Sequence, residues 1–167
     1  VNVPRSDINL NTPWKGKRVA FLGDSMTDPK NKSTQKHYWS YLETLMGIEP
    51  HVFARSGYKW DGIYKKAEEM NAALGDSVDA IIIWAGTNDY NHGIPLGEFF
   101  TEETDSVNFN GRMELRKHRR MQFNDSTFTG NINRVMSYLK HNYPDKQIII
   151  MTPIHRAFAT FSSKNVQ

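Results

Sequence analysis

Three small polar clusters in the sequence each follow a short apolar run, and together they hold the residue types that acyl transfer requires. Ser25 follows Gly23 and Asp24 in the stretch VAFLGDSMTD, Gly57 ends HVFARSG, and Asn88 follows AIIIWAGT. A serine hydroxyl attacks an ester carbonyl when a base removes its proton. Backbone N–H groups and a side-chain amide can then hold the oxyanion that develops. We therefore interpret Ser25 as a candidate nucleophile, and the Ser25 N–H, the Gly57 N–H and the Asn88 amide as candidate oxyanion donors.

Taken singly, each cluster has a simpler structural interpretation. A Gly-Asp-Ser stretch alone is typical of a turn, Gly57 alone of a loop, and the pair Asn88 and Asp89 of a turn closed by its own side chain. Their shared position, just past successive apolar runs, favours the catalytic interpretation. We expect Asp24 to brace the turn around Ser25, and Asp89 to cap or brace its own loop.

The elements that would bring these clusters together alternate along the chain. Four short apolar runs predict buried strands, at 18–23, 51–57, 80–86 and 147–153. Three amphipathic stretches predict helices, at 37–46, 61–74 and 126–144, the second with Asp61 as its N-cap. This alternation predicts a parallel sheet with helices on both faces. Because ligands of such sheets bind at the carboxyl ends of the strands, the three clusters are expected to meet there.

Two further segments differ in character from the predicted domain, which covers residues 18–167. Residues 1–17 are polar and contain two prolines, which predicts an extended N-terminal arm. The insertion at 94–125 is too long for a plain loop, so we expect it to help shape a site. Its basic run RMELRKHRRMQF lacks interleaved aromatic residues, which favours a solvated hairpin or lid over a nucleic-acid surface.

The composition is that of a globular domain and excludes several functional classes. The 167 residues are 38% hydrophobic and 23% charged, with a formal net charge of +3. There is no cysteine, which excludes thiolate chemistry, and no apolar stretch long enough to span a membrane. Neither a nucleotide-binding glycine motif nor a spacing of metal ligands is evident, so we expect no cofactor, no metal and no nucleic-acid partner. The first residue is Val1, so a secreted or periplasmic localisation, with a leader removed before Val1, stays open.

The stretches FLGDSMTD, ARSG and WAGTND resemble the first three sequence blocks of the SGNH (GDSL-type) hydrolases. The resemblance covers residues 17–153. It implies a three-layer α/β/α sandwich with a flavodoxin-like parallel sheet of five strands. It also implies Ser25 as the nucleophile, which donates its own N–H as well, Gly57 as a backbone donor and Asn88 as a side-chain donor. The substrates it implies are acyl esters, and we expect an O-acetyl or short-chain ester, plausibly on a carbohydrate.

The catalytic base of the family is the feature that this sequence does not display. In the family, a D-x-x-H motif near the C-terminus follows the fifth strand, whereas only four strands are predicted here. We expect the catalytic histidine and aspartate, with a final strand and helix, to lie beyond Gln167, so that residues 1–167 alone hydrolyse esters weakly. The alternatives are a replacement base, His92 or His155, and a non-catalytic carbohydrate-binding or interaction module on the same fold.

Overall fold

The alternating apolar runs and amphipathic stretches form a parallel sheet with helices on both faces in the computed structural model, which describes residues 12–153. In chain order, the elements are β1 (Arg18–Gly23), α1 (Tyr38–Met46), β2 (Glu49–Ala54), α2 (Trp60–Leu74), β3 (Ala80–Trp84), α3 (Thr87–Asn91), β4 (Phe100–Phe109), β5 (Arg112–Met121), α4 (Phe128–Asn142) and β6 (Gln147–Met151). The predicted α/β class is confirmed. None of the helices between residues 12 and 153 has both the length and the apolar character needed to cross a membrane.

The sheet has the order β2-β1-β3-β6, and its four strands are parallel. The central strand β1 pairs with β2 on one side and β3 on the other, so that Gly23 lies opposite both Ala54 and Trp84. These residues end their strands at the same level. The loops that follow β1, β2 and β3 therefore leave the sheet at one edge, as the sequence predicts.

The core lies in two layers because successive side chains of a strand point to opposite faces. On one face, Ala20 and Leu22 of β1 pack with residues of α2 and α4 in a cluster that includes Ile63 and Leu139. On the other face, a cluster that contains β1 residues packs against α1; its buried members are Val19, Phe21, Ile48 and Ala80. Full burial of each large aliphatic side chain contributes about 1.5–3 kcal/mol. Helices thus cover both faces of the sheet and leave its carboxyl edge for the loops.

The second helix begins one residue earlier than predicted, and Asp61 is not its N-cap. The N-cap residue of α2 is Lys59, whose side chain makes no capping hydrogen bond. Asp61 lies in the first helical turn, where a negative charge suits the positive end of the helix dipole. The capping role predicted for Asp61 is therefore wrong. The Trp60 N–H at the helix start is bonded instead by a carboxylate from another loop, described below.

Three strands end two or three residues before their predicted ends, and α3 replaces a predicted loop. The strand predicted at 80–86 ends at Trp84, because Ala85 and Gly86 are buried but already belong to the turn. Burial alone therefore does not separate strand from loop at this edge. Residues 1–11 and 154–167 lie outside the described part of the chain, and most of the predicted N-terminal arm and the candidate base His155 lie with them.

The 94–125 segment contains a β-hairpin formed by β4 and β5. Its turn residues, Asn110 and Gly111, have positive φ angles of 53° and 81°, which suit the tight turn between two antiparallel strands. Asn133 of α4 is buried and fixes the base of the hairpin, because its Nδ2 donates to the Phe99 carbonyl at 2.7 Å and to the Gln122 carbonyl at 2.8 Å. The side chains of β5 are all exposed. The segment is thus a solvated hairpin.

Candidate active site

The loops that follow β1, β2 and β3 meet at the carboxyl edge of the sheet, and the Asn88 side chain joins them. Asn88 Nδ2 donates to the Tyr58 carbonyl at 2.8 Å and lies 3.4 Å from Asp24 Oδ2. Asp24 directly precedes Ser25, and Tyr58 directly follows Gly57. The structure therefore brings together the three sequence positions that were singled out for their chemistry.

Ser25 lies in a tight turn that the neighbouring Asp24 holds in place. Asp24 is fully buried, and its Oδ1 accepts a hydrogen bond from the Met26 N–H at 3.0 Å. The Ser25 carbonyl accepts a second bond from Asn31 Nδ2 at 2.6 Å. The bracing role predicted for Asp24 is confirmed. Ser25 itself is half-buried in this fixed turn.

The turn can approach β3 this closely because residue 23 is glycine. A Cβ atom at Gly23 would overlap the side chain of Thr27 and would lie 2.8 Å from the Trp84 carbonyl. Any larger residue would push the turn away from β3 or displace the Thr27 side chain. The glycine that ends β1 therefore determines how near Ser25 lies to the loop that carries Asn88.

The loop that carries Gly57 is fixed from the β1 side by Asp28. Asp28 Oδ2 accepts hydrogen bonds from both the N–H and the hydroxyl of Ser56, each at 2.8 Å. Asp28 Oδ1 accepts from the Lys30 N–H at 2.9 Å, so the carboxylate links two loops. Burial alone would raise the pKa of Asp28, but these hydrogen bonds outweigh it and lower the pKa. Asp28 therefore stays ionised and keeps Ser56 in place.

Gly57 is exposed between two fixed neighbours. Its φ angle is +83°, which disfavours other residues, and a Cβ there would meet no atom within 4 Å. Within residues 12–153, neither the Gly57 N–H nor the Ser25 N–H donates a hydrogen bond to a protein acceptor. Two backbone donors without partners and the Asn88 amide are thus grouped at one edge. Such a group can bind an oxyanion.

Asp89, which the sequence predicts to cap or brace its own loop, also holds the start of α2. The residue is buried, and both of its carboxylate oxygens lie 3.2 Å from the Trp60 N–H. An orphan N–H at a helix start is thereby satisfied from another loop. Burial raises the pKa of Asp89 to about 6, although the bond from Trp60 opposes the shift. The loop of Gly57 is therefore held by Asp28 before it and by Asn88 and Asp89 after it.

The raised pKa of Asp89 predicts a pH dependence of stability. The folded state holds the Asp89 proton more tightly than the unfolded state, whose pKa is near 3.8. Protonated Asp89 therefore contributes to the free energy of unfolding fully below about pH 4, and this contribution is lost as pH rises through 6. Its size is roughly 3 kcal/mol. We expect Asp89→Asn, which keeps an acceptor for the Trp60 N–H, to remove this contribution and to match or exceed the wild type in stability at pH 7. Urea unfolding at several pH values in this range gives the free energy of unfolding of both proteins. If that free energy depended on pH equally in the two proteins, the assignment would be contradicted.

Asp89 and His92 stand in the D-x-x-H spacing of the family's base motif. In the structure, however, the two side chains do not bond to each other. The Asp89 carboxylate is bonded to the Trp60 N–H, and His92 Nδ1 lies 2.7 Å from the Asn88 carbonyl. His92 is exposed, and no hydrogen bond links it to Ser25. The pair therefore does not form the acid and base of a triad here.

The other histidines between residues 12 and 153 differ in their surroundings. His51 pairs with Glu49 on β2 at 3.0 Å, and His118 and His141 lie on the hairpin and on α4. His37 stacks on the Trp39 ring with a centroid distance of 5.4 Å. None of these histidines is hydrogen-bonded to Ser25, so the structure assigns no base within this range.

The aromatic residues that flank Gly57 have different surroundings. Trp60 is only 1% exposed and packs edge-on to Phe128, so it belongs to the core and not to a pocket wall. Tyr58 is half-buried, with the Arg55 guanidinium 5.3 Å from the centre of its ring. Of the two, Tyr58 alone can contact a molecule bound near Gly57. Among residues 12–153, no cluster of three metal-ligating side chains occurs.

Neither protein-family models nor curated proteins match the sequence, whereas solved structures share its fold. A candidate GDSL-like lipase from Bacteroides uniformis has a TM-score of 0.59 at 17% identity, over 90% of this chain and 75% of its own. A candidate lipase from Chitinophaga pinensis has a TM-score of 0.58 at 19% identity, over 82% and 48% of the two chains. A protein from Lactobacillus plantarum has a TM-score of 0.57 at 24% identity, over 84% and 58%.

These similarities concern the fold, because identities of 17–24% are low. The chain spans about half the length of two of the structures, 48% and 58%. The similarity extends over 82–90% of this chain. The chain has the α/β fold of the GDSL-type hydrolases.

Proposed function

We propose that the protein is a serine ester hydrolase that cleaves an O-acetyl or other short-chain acyl ester, with a carbohydrate as the alcohol. The observation that carries the proposal is that the Asn88 side chain contacts both the Ser25 loop and the Gly57 loop. The N–H groups of Ser25 and Gly57 donate to no protein acceptor among residues 12–153. Backbone N–H groups that have no protein acceptor are available to donate hydrogen bonds to a bound oxyanion.

In the proposed reaction, Ser25 Oγ attacks the ester carbonyl while a base takes its proton. The carbonyl oxygen becomes an oxyanion, which accepts hydrogen bonds from the N–H groups of Ser25 and Gly57 and from the Asn88 amide. The C–O bond to the alcohol then breaks, the alcohol leaves with the proton, and an acyl-Ser25 ester remains. Water attacks this ester, and the acid and the free Ser25 hydroxyl are regenerated.

The Asn88 side chain suits a donor that is held ready for the oxyanion. Its Nδ2 carries two protons, and the 2.8 Å bond to the Tyr58 carbonyl fixes one of them. The second proton faces Asp24 Oδ2 at 3.4 Å, which is a long hydrogen bond. An oxyanion bound beside Ser25 would replace this weak contact with a shorter one, so little is lost when the donor turns to the substrate.

The exposure of Gly57 supports a bulky, hydrated alcohol such as a sugar. The space where its side chain would lie is open, so the group beyond the scissile bond can extend into solvent. Tyr58 offers an aromatic face next to this opening. The second candidate function, a non-catalytic carbohydrate-binding module, is favoured by one observation: no histidine between residues 12 and 153 is bonded to Ser25.

Labelling with a fluorophosphonate separates the two functions, because this reagent modifies activated serines. We expect the full-length protein to be labelled at Ser25, as located by mass spectrometry of the modified peptide. The matched control is Ser33→Ala, which removes an exposed hydroxyl eight residues after Ser25 and should leave labelling unchanged. Ser25→Ala should abolish it. A folded protein with no labelled serine would support the binding module instead.

A further inference from the structure

The segment that presents Gly57 is a tight turn whose two ends carry Arg55 and Tyr58. The Tyr58 N–H donates to the Arg55 carbonyl at 3.2 Å, which closes a four-residue turn. Gly57 occupies the third position of this turn, where its φ angle of +83° suits a type II geometry. The ends of such a turn lie within about 7 Å of each other. The residues at both ends therefore lie close to the backbone that offers the Gly57 N–H.

The same turn is attached to the strand that leads into the Ser25 loop. The Arg55 N–H donates to the Gly23 carbonyl at 3.1 Å, and Gly23 ends β1 two residues before Ser25. Ser56, the second residue of the turn, is bonded to Asp28, which follows Ser25 in the same loop. Contacts on both sides of Ser25 in the sequence thus fix the backbone of residues 55 and 56.

The Arg55 guanidinium lies against the Tyr58 side chain. Its Nη1 donates to the Tyr58 hydroxyl at 3.3 Å, and its central carbon lies 5.3 Å from the centre of the Tyr58 ring. The ring is itself held close to α2, because a Cβ atom on Gly62 would lie 2.5 Å from Tyr58 Cδ2. Glycine is disfavoured within a helix, and here it makes room for the ring. Tyr58 is therefore a fixed support for the guanidinium.

Among residues 12–153, the Arg55 guanidinium has no acidic partner, whereas Lys59 and Lys66 do. Lys59 lies 3.2 Å from Asp61, and Lys66 lies 2.6 Å from Glu69. A guanidinium carries five N–H donors, and the contact with the phenol uses one of those of Arg55. The residue is exposed, so the remaining donors can meet a bound molecule. An unpaired positive charge is thus carried two residues from a candidate oxyanion donor.

The backbone of the turn does not depend on the Arg55 side chain. The bond that closes the turn and the bond to Gly23 are both made by main-chain atoms of residue 55. The Asp28 carboxylate accepts from Ser56 and from the Lys30 N–H, so its oxygens are engaged with donors other than the guanidinium. The Arg55 side chain is therefore available to bind a group of the substrate.

We propose that Arg55 and Tyr58 bind a carboxylate on the alcohol part of the substrate, so that the preferred substrate is an acylated acidic sugar. This inference rests on the proposed function. A guanidinium binds a carboxylate through two parallel N–H···O bonds, which also orient the bound group. The alcohol part is the one concerned, because Arg55, Ser56 and Gly57 are all exposed and a group beside them extends into solvent. Binding there would hold the ester next to the Gly57 N–H.

Pairs of esters that differ in charge test the inference in the full-length protein. The 3- and 4-acetoxybenzoates carry a carboxylate on the alcohol part, and the corresponding acetoxybenzamides are neutral. We expect Arg55→Gln to lower the ratio of kcat/KM for the anionic ester to kcat/KM for the neutral ester by about tenfold for at least one isomer. Arg55→Lys keeps the charge but loses the planar fork, so it should lower the ratio less.

The matched control for these kinetics is Arg112→Gln, which removes the same charge from an exposed arginine at the start of β5. We expect the control to keep the wild-type ratio. An equal fall of the ratio in the control would show that net charge, and not Arg55, sets the preference. That result would overturn the inference, and so would an unchanged ratio in a folded Arg55→Gln protein for both isomers.

Binding without hydrolysis separates this inference from the proposed function. The 3- and 4-acetamidobenzoates have an amide in place of the ester. We expect at least one of them to shift the 1H–15N signals of the Gly57 N–H and of Arg55 Nε in the full-length protein, and the neutral acetamidobenzamides to shift them far less. A protein that shows these shifts but hydrolyses no ester would contradict the proposed function and keep the carboxylate site. A protein that hydrolyses neutral esters but shows no such shift would lose the carboxylate site and keep the proposed function.

Discussion

Replacing Ser25 with alanine is expected to reduce hydrolysis of p-nitrophenyl acetate by the full-length protein by about four orders of magnitude or more. The reason is that the acyl-enzyme cannot form without the hydroxyl, and only the oxyanion donors and substrate binding remain. The loss should fall on kcat, because the N–H of residue 25 survives the substitution. Initial rates at saturating ester measure it.

The same variant should fold as the wild type does. In the turn, the backbone carbonyl of Ser25 accepts a hydrogen bond from Asn31. Because this bond does not involve the Ser25 side chain, alanine preserves it. An unchanged melting temperature would show that the loss of activity is chemical. Full activity of a folded Ser25→Ala protein would contradict the assignment of the nucleophile, whatever the role of the rest of the site.

Replacing Asn88 with alanine is expected to lower kcat by about 10²–10³, with a much smaller change in KM. The side-chain donor acts on a charge that develops only in the transition state, so its loss affects the rate more than substrate binding. Asn88 also bonds to the Tyr58 carbonyl, so we expect a modest fall in melting temperature as well. Steady-state kinetics and thermal unfolding separate the two effects.

The matched control for this prediction is Asn91→Ala, which removes an exposed amide from the same short helix. We expect its kcat to remain close to that of the wild type. If Asn88→Ala raised KM and left kcat unchanged, Asn88 would be a structural link between loops and not an oxyanion donor. That result would leave the role of Ser25 untouched, because the two residues act at different atoms.

The sheet and the position of the site could be predicted because both depend on local patterns. Apolar runs such as AIIIWAG indicate buried strands, and their alternation with amphipathic helices fixes a parallel order. Once the strands are parallel, their carboxyl ends must share an edge. The meeting of the Ser25, Gly57 and Asn88 loops follows from that topology and needs no knowledge of individual contacts.

The hydrogen bonds between loops could not be predicted in the same way. Asp28 and Ser56 are 28 residues apart, and Asp89 and Trp60 are 29 apart, so no local spacing relates them. Local reasoning therefore assigns Asp89 to its own loop and misses its bond to the Trp60 N–H. Nor does the sequence show that Trp60, one residue from an exposed loop, turns inward to become part of the core.

The sequence favours a solvated hairpin or lid in this segment, but it does not indicate which face of the hairpin carries the apolar residues. The basic run of β5 indicates only its charge, whereas the Asn-Gly dipeptide at 110–111 marks the turn. With the register fixed by that turn, Met113, Leu115 and Met121 fall on one face. Alternation along a strand therefore becomes informative only after the strand itself has been recognised.

The glycine that ends β1 has a consequence for the transfer of this arrangement to other scaffolds. At that point the distance between two backbones depends on the lack of a single methyl group, since any Cβ would meet the Thr27 side chain and the Trp84 carbonyl. A designer who copied the three reactive positions but allowed alanine there would obtain loops too far apart to cooperate. Substitution at residue 23 should therefore be among the least tolerated in a saturation library selected for function.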